Sequence, residues 1–250
     1  SYYEALRREA LQIALVEGAR APGSAAQSSA ISSASSPGGG GDDNRARFHV
    51  LAQLTRLRRA ACDPRLVNPE LDIAGAKIPA FIELVTELAA NRHRALVFSQ
   101  FVDFLQRLRD AADQAGLTYQ YLDGSTPAAD RQARVDAFQR GQGDLFLISL
   151  KAGGFGLNLT AADYVVIVDP WWNPAAEDQA MGRAHRIGQQ RPVTVYRLVT
   201  QHTIEQRIVE LHHDKRALAE GVLDGIDSGA ALTLTDLVGL LDDPNEGGHA

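Results

Sequence analysis

From Lys77 onward, short apolar runs alternate with longer segments in which apolar residues recur every three or four positions. The longer segments predict helices that each bury one apolar stripe. The short runs predict strands at residues 95–99, 119–122, 145–149, 164–168 and 193–199. Strands that are apolar throughout and alternate with helices are typical of a parallel sheet covered by helices on both faces. The pattern therefore predicts an α/β fold, in which ligands bind at the carboxyl ends of the strands.

Two helices are predicted ahead of this region, from Tyr2 to about Val16 and from about Arg45 to Ala61. The apolar positions of the first helix include Leu6, Ile13 and Val16. The apolar stripe of the second helix consists of Leu51, Leu54, Leu57 and Ala61. The segment between them, residues 21–44, is dominated by Ser, Ala, Gly and Pro. Because such a composition cannot bury a core, it predicts a disordered loop.

The periodicity returns near the end of the chain. A helix is predicted from about Ile204 to Leu218, opened by a capping box of Thr203 and Gln206. A short amphipathic piece follows, with its apolar positions at Leu234, Leu237, Leu240 and Leu241. The expected organisation is a helical protrusion at residues 1–70, an α/β lobe at residues 71–202, and a final helix with an acidic tail at residues 203–250.

The net charge of −6 comes from the end of the chain, since the tail from Asp224 onward holds six acidic residues and no Lys or Arg. The rest of the chain is close to neutral, but six arginines cluster between residues 45 and 65. This cluster predicts either a local basic surface or an ordinary solvated helix face.

Cys62 is the only cysteine, which excludes an intramolecular disulfide and fits a reducing cytoplasm. Its place after an apolar helical run predicts packing at a helix end rather than nucleophilic chemistry. The sequence contains no apolar run that could span a bilayer and opens with no secretory signal. Because the chain begins at Ser1 without Met, we expect a fragment or a processed product.

Two features needed for nucleotide hydrolysis are missing from the sequence. It has no G-x-x-x-x-G-K-[ST] loop, whose backbone and Lys would cradle a triphosphate. It also has no Asp-Glu pair after a strand to hold magnesium, and no other metal-ligating set is expected. We therefore expect that this chain does not hydrolyse ATP by itself.

The segment from Gln179 to Gln189 lies late in a helix that is predicted to begin at Asn173 and to end at residue 188. Gln179, Arg183 and Arg186 are four and three positions apart, so they project from one helix face. Two guanidinium groups on one face can bind a polyphosphate, and phosphoryl transfer needs such charge where it develops in the transition state. A surface helix with salt bridges is the alternative interpretation.

Three predicted strand ends carry groups that suit a phosphate. The loop after residue 149 contains Lys151, Gly154, Gly156 and Asn158. Its glycines let the backbone approach an anion closely. The other two strand ends contain Ser99 with Gln100, and Gly124 with Ser125 and Thr126. Thr126 is expected to cap the next helix, whose N-terminus favours a phosphate, although tight structural turns are the alternative for all three loops.

The order of these segments resembles the Swi/Snf helicase-like ATPases of helicase superfamily two. The fourth helicase motif, the segment after it and the fifth motif are matched by Val97–Phe101, Leu122–Thr126 and Ser149–Leu159. The sixth motif with its lead-in is matched by Asp169–Pro174 and Gln179–Gln189. The run from Arg183 to Gln189 is highly specific to this family.

Two further segments extend the resemblance. Residues 51–66 resemble the family's second helical protrusion, and residues 203–218 resemble its brace helix. Gly182 replaces an Asp that is common in the family, and Asp63 lies in a run where Asn-His is more usual before Pro64. We expect only local effects from these departures, because both arginines of the sixth motif are retained.

The resemblance implies a RecA-like second motor lobe of an ATPase that steps along duplex DNA. ATP and Mg²⁺ would lie between two lobes, held mainly by an N-terminal RecA-like lobe outside this sequence. Arg183 and Arg186 would reach the β- and γ-phosphates, and Gln179 would orient the site. The residues implied to link the nucleotide cleft to the DNA groove are Gly154, Gly156 and Asn158. The residues implied to contact DNA phosphates, without reading sequence, are Ser99, Gln100, Gly124, Ser125, Thr126 and Lys151.

The implied partners are double-stranded DNA, the N-terminal lobe and DNA-bound proteins such as nucleosomes or RNA polymerase, with no membrane. The implied location is the cytoplasm (the nucleoid) in a bacterium and the nucleus in a eukaryote. The alternative is a non-catalytic lobe that binds DNA or a protein, although the retained arginines and Gly-rich loop argue against it. A Rossmann-like enzyme of small molecules is disfavoured, because its phosphate loop and ribose-binding acid are missing.

Overall fold

The computed structural model describes residues 1–20, 40–153, 159–175, 177–178, 182, 192–221 and 234–241. Its strands are β1 (Ala95–Ser99), β2 (Tyr119–Leu122), β3 (Leu145–Ser149), β4 (Tyr164–Ile167) and β5 (Thr194–Arg197). Its helices are α1 (Tyr2–Arg20), α2 (Gly40–Cys62), α3 (Lys77–Ala90), α4 (Val102–Gln114), α5 (Ala128–Gln139), α6 (Leu150–Gly153), α7 (Ile204–Gly221) and α8 (Leu234–Gly239). A single turn of 3-10 helix, Pro64–Leu66, follows α2.

In the described part of the chain, the five strands form one parallel sheet in the order β2-β3-β1-β4-β5. This confirms the predicted α/β fold, and the ranges of β1, β2 and β3 agree with the sequence prediction. Strands β4 and β5 are shorter than predicted, because a ladder extends only as far as both neighbours pair. The four residues of β5 pair with the four residues of β4, although the apolar run continues beyond them.

Alternate residues of the central strands enter separate cores on the two faces of the sheet. One core includes Leu96, Phe98, Phe146, Ile148 and Trp171. The other core includes Ala95, Val97, Leu145 and Leu147, packed with Phe81 of α3 and Phe104 of α4. Each large apolar side chain that is fully buried contributes about 1.5–3 kcal/mol. Because β1 and β3 are buried along their whole length, they anchor the loops that leave their ends.

A third apolar cluster joins both ends of the chain. It contains Leu6, Ala10 and Ala14 of α1, Val50, Leu54 and Leu57 of α2, Ile204 and Ile208 of α7, and Leu237 with Leu241 at α8. Val16 and Leu51, which the sequence pattern counted among the apolar positions of α1 and α2, are exposed. The small side chains of Ala10 and Ala14 take the buried positions of α1 instead, since alanine lets two helices approach closely.

Helix α2 begins at Gly40, five residues before its predicted start. The first five residues of the helix carry no apolar side chain, so hydrophobic periodicity cannot detect them. The structure therefore makes residues 40–44 helical where a disordered loop was predicted. The rest of that predicted loop, residues 21–39, lies outside the described residues.

The turn after α2 is held by Asp63, one of the residues that depart from the family pattern. Its carboxylate accepts hydrogen bonds from Arg65 N (2.9 Å), Arg65 Nε (2.9 Å) and Arg65 Nη2 (2.7 Å). Burial opposes ionisation of Asp63, but the bonds from Arg65 outweigh it and lower its pKa. Gly75 packs against this turn so closely that a Cβ atom would lie 2.7 Å from Cys62 O.

The helix ends follow the predicted signals with one change. Gly116 ends α4 with a φ of +71°, the left-handed conformation that glycine adopts without strain. Asn173 Oδ1 accepts a hydrogen bond from Ala175 N (3.0 Å), as a helix cap does. At the start of α7, Thr203 Oγ1 accepts from Glu205 N (3.3 Å), but Gln206 Oε1 accepts from His202 N (3.1 Å) instead of Thr203 N. Both bonds of the predicted capping box are therefore shifted by one residue, because Gln206 N donates to Thr203 O rather than to its hydroxyl.

Candidate functional site at the carboxyl edge of the sheet

The loops that carry the predicted motifs leave the sheet side by side. Ser99 at the end of β1 pairs with Ser149 at the end of β3. Leu122 and Ile167, the last residues of β2 and β4, lie one level below this pair. Because the four strands are parallel and neighbouring, the loops that follow them emerge together at the carboxyl edge. The sequence predicted only that each motif follows a strand. The pairing of the strands shows that the strand ends lie in one row.

Asp123 organises the loop after β2. Its carboxylate accepts hydrogen bonds from Ser125 Oγ (2.6 Å), Ser125 N (2.9 Å) and Tyr121 Oη (3.1 Å). Burial opposes ionisation, but the hydrogen bonds from Ser125, Tyr121 and Thr126 outweigh it and hold the pKa of Asp123 below its usual value. Asp123 is therefore an anion at neutral pH, and the hydrogen bonds that its carboxylate accepts hold the loop in shape.

Thr126 has a different role from the one that its position predicted. Its Oγ1 accepts a hydrogen bond from Asp123 N (3.1 Å), and the residue is buried. The N-cap position of α5 is Pro127, which makes no side-chain cap bond. The prediction that Thr126 caps this helix is wrong, because its hydroxyl closes the Asp123 turn. Gly124 and Ser125 are exposed and are the members of this loop that a phosphate could reach.

Ser99 and Gln100 are also unequal. Ser99 is fully buried, and its Oγ accepts from Phe101 N (3.1 Å) and donates to Phe101 O (3.2 Å). Gln100 is half-buried, and its backbone N lies 3.2 and 3.1 Å from the two carboxylate oxygens of Asp169. Ser99 therefore shapes the loop, while the side chain available to a ligand is that of Gln100.

Asp169, which opens the lead-in to the sixth motif, is 1% exposed. Its nearest cation is Arg58 of α2, whose Nη2 lies 3.7 Å from Asp169 Oδ2. Burial raises the pKa of Asp169 to about 7, although Arg58, the Ser99 side chain, Lys77 and the N–H of Gln100 favour its charged form. The carboxyl group therefore titrates near neutrality, unlike Asp123 in the same row of loops.

Two buried cations hold the backbone where β4 ends. Arg58 Nη2 donates to Pro170 O (2.9 Å), and its guanidinium lies 5.2 Å from the ring centre of Phe101 and 5.4 Å from that of Trp172. Lys77 Nζ donates to Val168 O (2.6 Å). These carbonyls lie past the end of the β4 ladder, so they need donors from outside the sheet.

Glu205 connects the same region to helix α7. Its Oε1 accepts from Lys77 Nζ (2.6 Å) and its Oε2 from Thr200 N (2.9 Å), and the carboxylate is fully buried. Cys62 Sγ lies 3.6 Å from Glu205 Oε1, and burial raises the pKa of this thiol well above its usual value. This confirms that Cys62 is a packed residue at a helix end rather than a nucleophile.

Glu177 anchors the helical residues 174–175 and 177–178, which lead toward the predicted sixth motif. Its Oε1 accepts from Trp171 N (3.0 Å), and its Oε2 accepts from Arg197 Nε of β5 (2.7 Å). Glu177 is fully buried, and Trp171 beside it packs edge-on against Phe98 at 6.3 Å. The first turn of this helix is therefore fixed to the sheet on two sides.

At least four of the six arginines between residues 45 and 65 are paired with acids, and one of them is buried. The pairs are Arg56–Glu9, Arg58–Asp169, Arg59–Asp103 and Arg65–Asp63. Arg58 is 3% exposed. Sequence reasoning missed the roles of Arg58, Lys77, Glu177 and Glu205, because a charged residue on a helix gives no local sign that a distant acid or carbonyl will cover it.

Half of the predicted site residues lie outside the part that the structure describes. These residues are Gln179, Arg183, Arg186, Gly154, Gly156 and Asn158. Lys151 is described only through its backbone, which belongs to α6. The roles implied for these residues stay predictions. The described residues show how the two segments are anchored where they begin. Ser149 precedes the Gly-rich loop, and Glu177 precedes the two arginines.

No helix among the described residues is both long enough and apolar enough to cross a membrane. Among the same residues, no group of three or more His, Cys, Asp and Glu side chains is placed to hold a metal ion.

Comparison with known proteins decides the family. The helicase conserved C-terminal domain matches residues 76–188. An uncharacterized ATP-dependent helicase of Mycoplasma pneumoniae is 33% identical over 201 residues, which are 80% of this chain and 19% of that protein. The putative ATP-dependent helicase/translocase YwqA of Bacillus subtilis is 37% identical over 180 residues, 70% of this chain and 20% of that protein. The chain is a homologue of the Swi/Snf-type helicases and chromatin remodellers.

The wider relatives of this helicase C-terminal domain include a mouse SWI/SNF-related regulator of chromatin, subfamily A member 1, at 43% identity over 136 residues. That alignment covers 54% of this chain and 13% of the mouse protein. The crystal structure of the C-terminal part of the Fun30 ATPase domain matches with a TM-score of 0.63 at 21% identity, covering 96% of this chain and 94% of that one. The fold is therefore the RecA-like fold that the sequence motifs implied. The chain spans about a fifth of the length of the first curated relatives, 19% and 20%.

Proposed function

We propose that this chain is the second motor lobe of a double-stranded-DNA-dependent ATPase that translocates along DNA and remodels protein–DNA complexes. The proposal rests on the helicase C-terminal domain at residues 76–188, combined with the single row in which its motif loops leave the sheet. It is supported by relatives that are named as ATP-dependent helicases, a translocase and a chromatin-remodelling ATPase.

In this proposal the carboxyl edge faces a first RecA-like lobe that holds most of the ATP and its Mg²⁺. The bound nucleotide supplies the γ-phosphoryl group that is transferred to water. Arg183 and Arg186 reach the β- and γ-phosphates and neutralise the charge that develops there, and Gln179 orients the site. Because the triphosphate loop belongs to the other lobe, this chain alone does not hydrolyse ATP.

The anchoring of the arginine-bearing helix supports these roles. Charge stabilises a transition state best when the protein does not have to reorganise to place it. The hydrogen bonds of Glu177 to Trp171 and Arg197 fix the first turn of that helix, six residues before Arg183. A helix that is fixed at its start offers a defined direction to the guanidinium groups farther along it.

DNA binding is assigned to the neighbouring loops. Gln100, Gly124 and Ser125 have accessible groups in one row, and Lys151 follows Ser149 in the same row. Buried Ser99 and Thr126 maintain the shapes of these loops. Gly154, Gly156 and Asn158 link them to the nucleotide. Contacts of this kind bind phosphates without reading bases, so the proposed binding is independent of sequence and weakens as salt increases.

The first test is the ATPase rate of the full-length protein with and without duplex DNA, for wild type and Arg183→Ala. We expect Arg183→Ala to lower the DNA-stimulated rate by about 10³-fold or more while DNA affinity is retained. The matched control is Arg92→Asn, which removes an exposed arginine between α3 and β1, at the opposite edge of the sheet. Asn suits the positive φ of 60° at that position, so this control should keep the wild-type rate.

Two outcomes would contradict the proposal in different ways. Normal turnover of Arg183→Ala would remove the arginine from the mechanism. Wild-type protein that binds DNA without any stimulated turnover would instead favour a non-catalytic lobe that binds DNA or a protein. The proposed clients are DNA-bound proteins such as nucleosomes or RNA polymerase, and the proposed location is the nucleoid or the nucleus.

A further inference from the structure

One buried carboxylate lies between the two loops to which different functions are assigned. Asp169 accepts the backbone N–H of Gln100, in the loop assigned to DNA, through both carboxylate oxygens at 3.2 and 3.1 Å. Asp169 is also the first residue of the lead-in that runs through Trp172 and Asn173 toward the predicted arginines. Asp169 therefore contacts the Gln100 loop from the start of this lead-in.

Arg58 completes the connection. It donates to Pro170 O, and its guanidinium lies between the rings of Phe101, next to Gln100, and Trp172, in the lead-in. At 3.7 Å from Asp169 Oδ2, it forms an ion pair that is longer than a hydrogen bond. Arg58 Nε is buried, and no atom of the described residues accepts a hydrogen bond from it. A shift of less than about 1 Å would close a direct hydrogen bond between Arg58 Nη2 and Asp169 Oδ2.

The surroundings of Asp169 leave few other groups that could respond to such a shift. The titratable and charged groups that face it are Arg58 and Cys62 of α2, Lys77 of α3, and Glu205 of α7. Lys77 and Glu205 are paired with each other at 2.6 Å and bind Val168 O and Thr200 N. Among the described residues, neither of them hydrogen-bonds to Gln100, whereas Asp169 and Arg58 contact both loops.

We propose that the Asp169–Arg58 pair couples DNA contact at the Gln100 loop to the placement of the lead-in at residues 169–175, which precedes the predicted arginines. Both are positioning residues, since neither is placed to touch ATP or DNA. This proposal rests on the proposed function and adds a specific element to it. Coupling between sites requires an element whose arrangement both sites bias, and this pair is in contact with both loops.

The test uses the full-length protein and the ratio of the DNA-saturated to the basal ATPase kcat. Asp169→Asn is isosteric, removes the charge and retains a polar side chain at the Gln100 amide. We expect the ratio to fall by about tenfold, with the Kd for duplex DNA and the KM for ATP changed by less than about twofold. Loss of coupling with both binding constants retained is not expected of a residue that only stabilises the fold.

The matched control is Glu205→Gln, which removes one carboxylate charge from the same buried region but does not touch the Gln100 loop. This variant should keep the wild-type ratio. An unchanged ratio in Asp169→Asn, or an equal loss in Glu205→Gln, would overturn the coupling proposal and leave the proposed function intact. Wild-type protein without DNA stimulation would instead overturn the proposed function itself.

A pH profile provides an independent readout. Because burial raises the pKa of Asp169 to about 7, the stimulation ratio of the wild type should fall as the pH decreases through neutrality. Asp169→Asn should not show this limb, and a profile identical to the wild type would contradict the proposal. Should Asp169→Asn not fold, Arg58→Lys replaces it, since lysine keeps the charge but cannot stack between Phe101 and Trp172 while binding Pro170 O. A wild-type ratio in Arg58→Lys would equally contradict the proposal.

Discussion

Asp123 directly follows the end of β2, and Asp169 lies two residues past the end of β4 in the same sheet. Both side chains are almost fully buried, at 5% and 1% exposure. Their pKa values nevertheless move in opposite directions. Asp123 is held as an anion by donors within three residues of it, whereas burial raises the pKa of Asp169 to about 7. The nearest cation to Asp169 is on α2, 111 positions earlier in the chain.

The difference shows that burial alone does not set the charge of a carboxyl group. Ser125 and Tyr121 supply hydrogen bonds that exist as soon as the turn forms, so Asp123 is compensated locally. The charge of Asp169 depends on Arg58 at 3.7 Å, the side chain of Ser99, the charge of Lys77 and one backbone N–H, which together offset burial only in part. The Asp123 turn is therefore a stable structural feature, while the Asp169 region responds to protonation and to displacement of its neighbours.

The largest effect is expected when Asp169 loses its cation. Arg58→Ala leaves a buried carboxyl without compensation and removes the stacking on Phe101 and Trp172, so we expect a loss of about 3–5 kcal/mol in the free energy of unfolding. Arg59→Ala is the matched control, because its partner Asp103 is 42% exposed and such pairs contribute about 0–1 kcal/mol. Urea denaturation measures both variants, and equal losses would contradict the distinction between them.

A pH series separates the two aspartates by sign. The folded-state pKa of Asp169, about 7, lies above the value of an unfolded Asp, so between these values the folded state holds a proton that the unfolded state releases. The stabilisation that this proton gives the folded state is therefore lost as the pH rises from the pKa of unfolded Asp to the folded pKa of Asp169. Asp169→Asn cannot ionise, so its free energy of unfolding relative to wild type should increase by about 1.4 kcal/mol for each pH unit between about pH 5 and about pH 7. A pH-independent difference would place the pKa of Asp169 outside this window.

Asp123 should behave in the opposite way and more weakly. Its pKa is lowered in the folded state, so its contribution is present above the ordinary Asp pKa and is lost as the pH falls through the folded value. We expect Asp123→Asn to cost about 1–2 kcal/mol at neutral pH and almost nothing at about pH 2. Denaturation at the two pH values tests this, and a cost that grows in acid would contradict the assignment.

The smallest expected effect concerns one bond of the Asp123 turn. Burial and then the charge of Asp123 raise the pKa of Tyr121 to about 12, consistent with its phenol donating to that carboxylate. Tyr121→Phe removes the donor and should cost about 0.5–1.5 kcal/mol while the pKa of Asp123 rises toward its ordinary value. NMR titration of the Asp123 carboxyl measures the second effect, and an unchanged pKa would show that Ser125 and Thr126 lower it without Tyr121.

Much of the fold was accessible from patterns in the sequence. The ranges of β1, β2 and β3 agree with the prediction, because fully buried strands are continuous apolar runs bounded by turn residues. Val16 and Leu51 were assigned to the apolar faces of α1 and α2 but are exposed. Alanines of the same helices take the buried positions, because small side chains let the helices approach closely. The start of α2 was missed because its first turn has no apolar residue. Arg183 and Arg186 of the sixth motif were recognised by spacing and resemblance. Their roles remain predictions that the ATPase measurements above would test.

The sequence by itself determined whatever depends on neighbours in the chain: the period of each element, the turn at Asp123 and the order of the helicase motifs. It also determined the family resemblance, since that is a property of short contiguous runs. Only the tertiary structure decided which charges are buried and what compensates them. Arg58 and Asp169 are far apart in the chain, as are Lys77 and Glu205, and no local rule pairs them. The energies of such pairs depend on the dielectric surroundings and on exact distances, and both come into existence only when the helices pack against the end of β4.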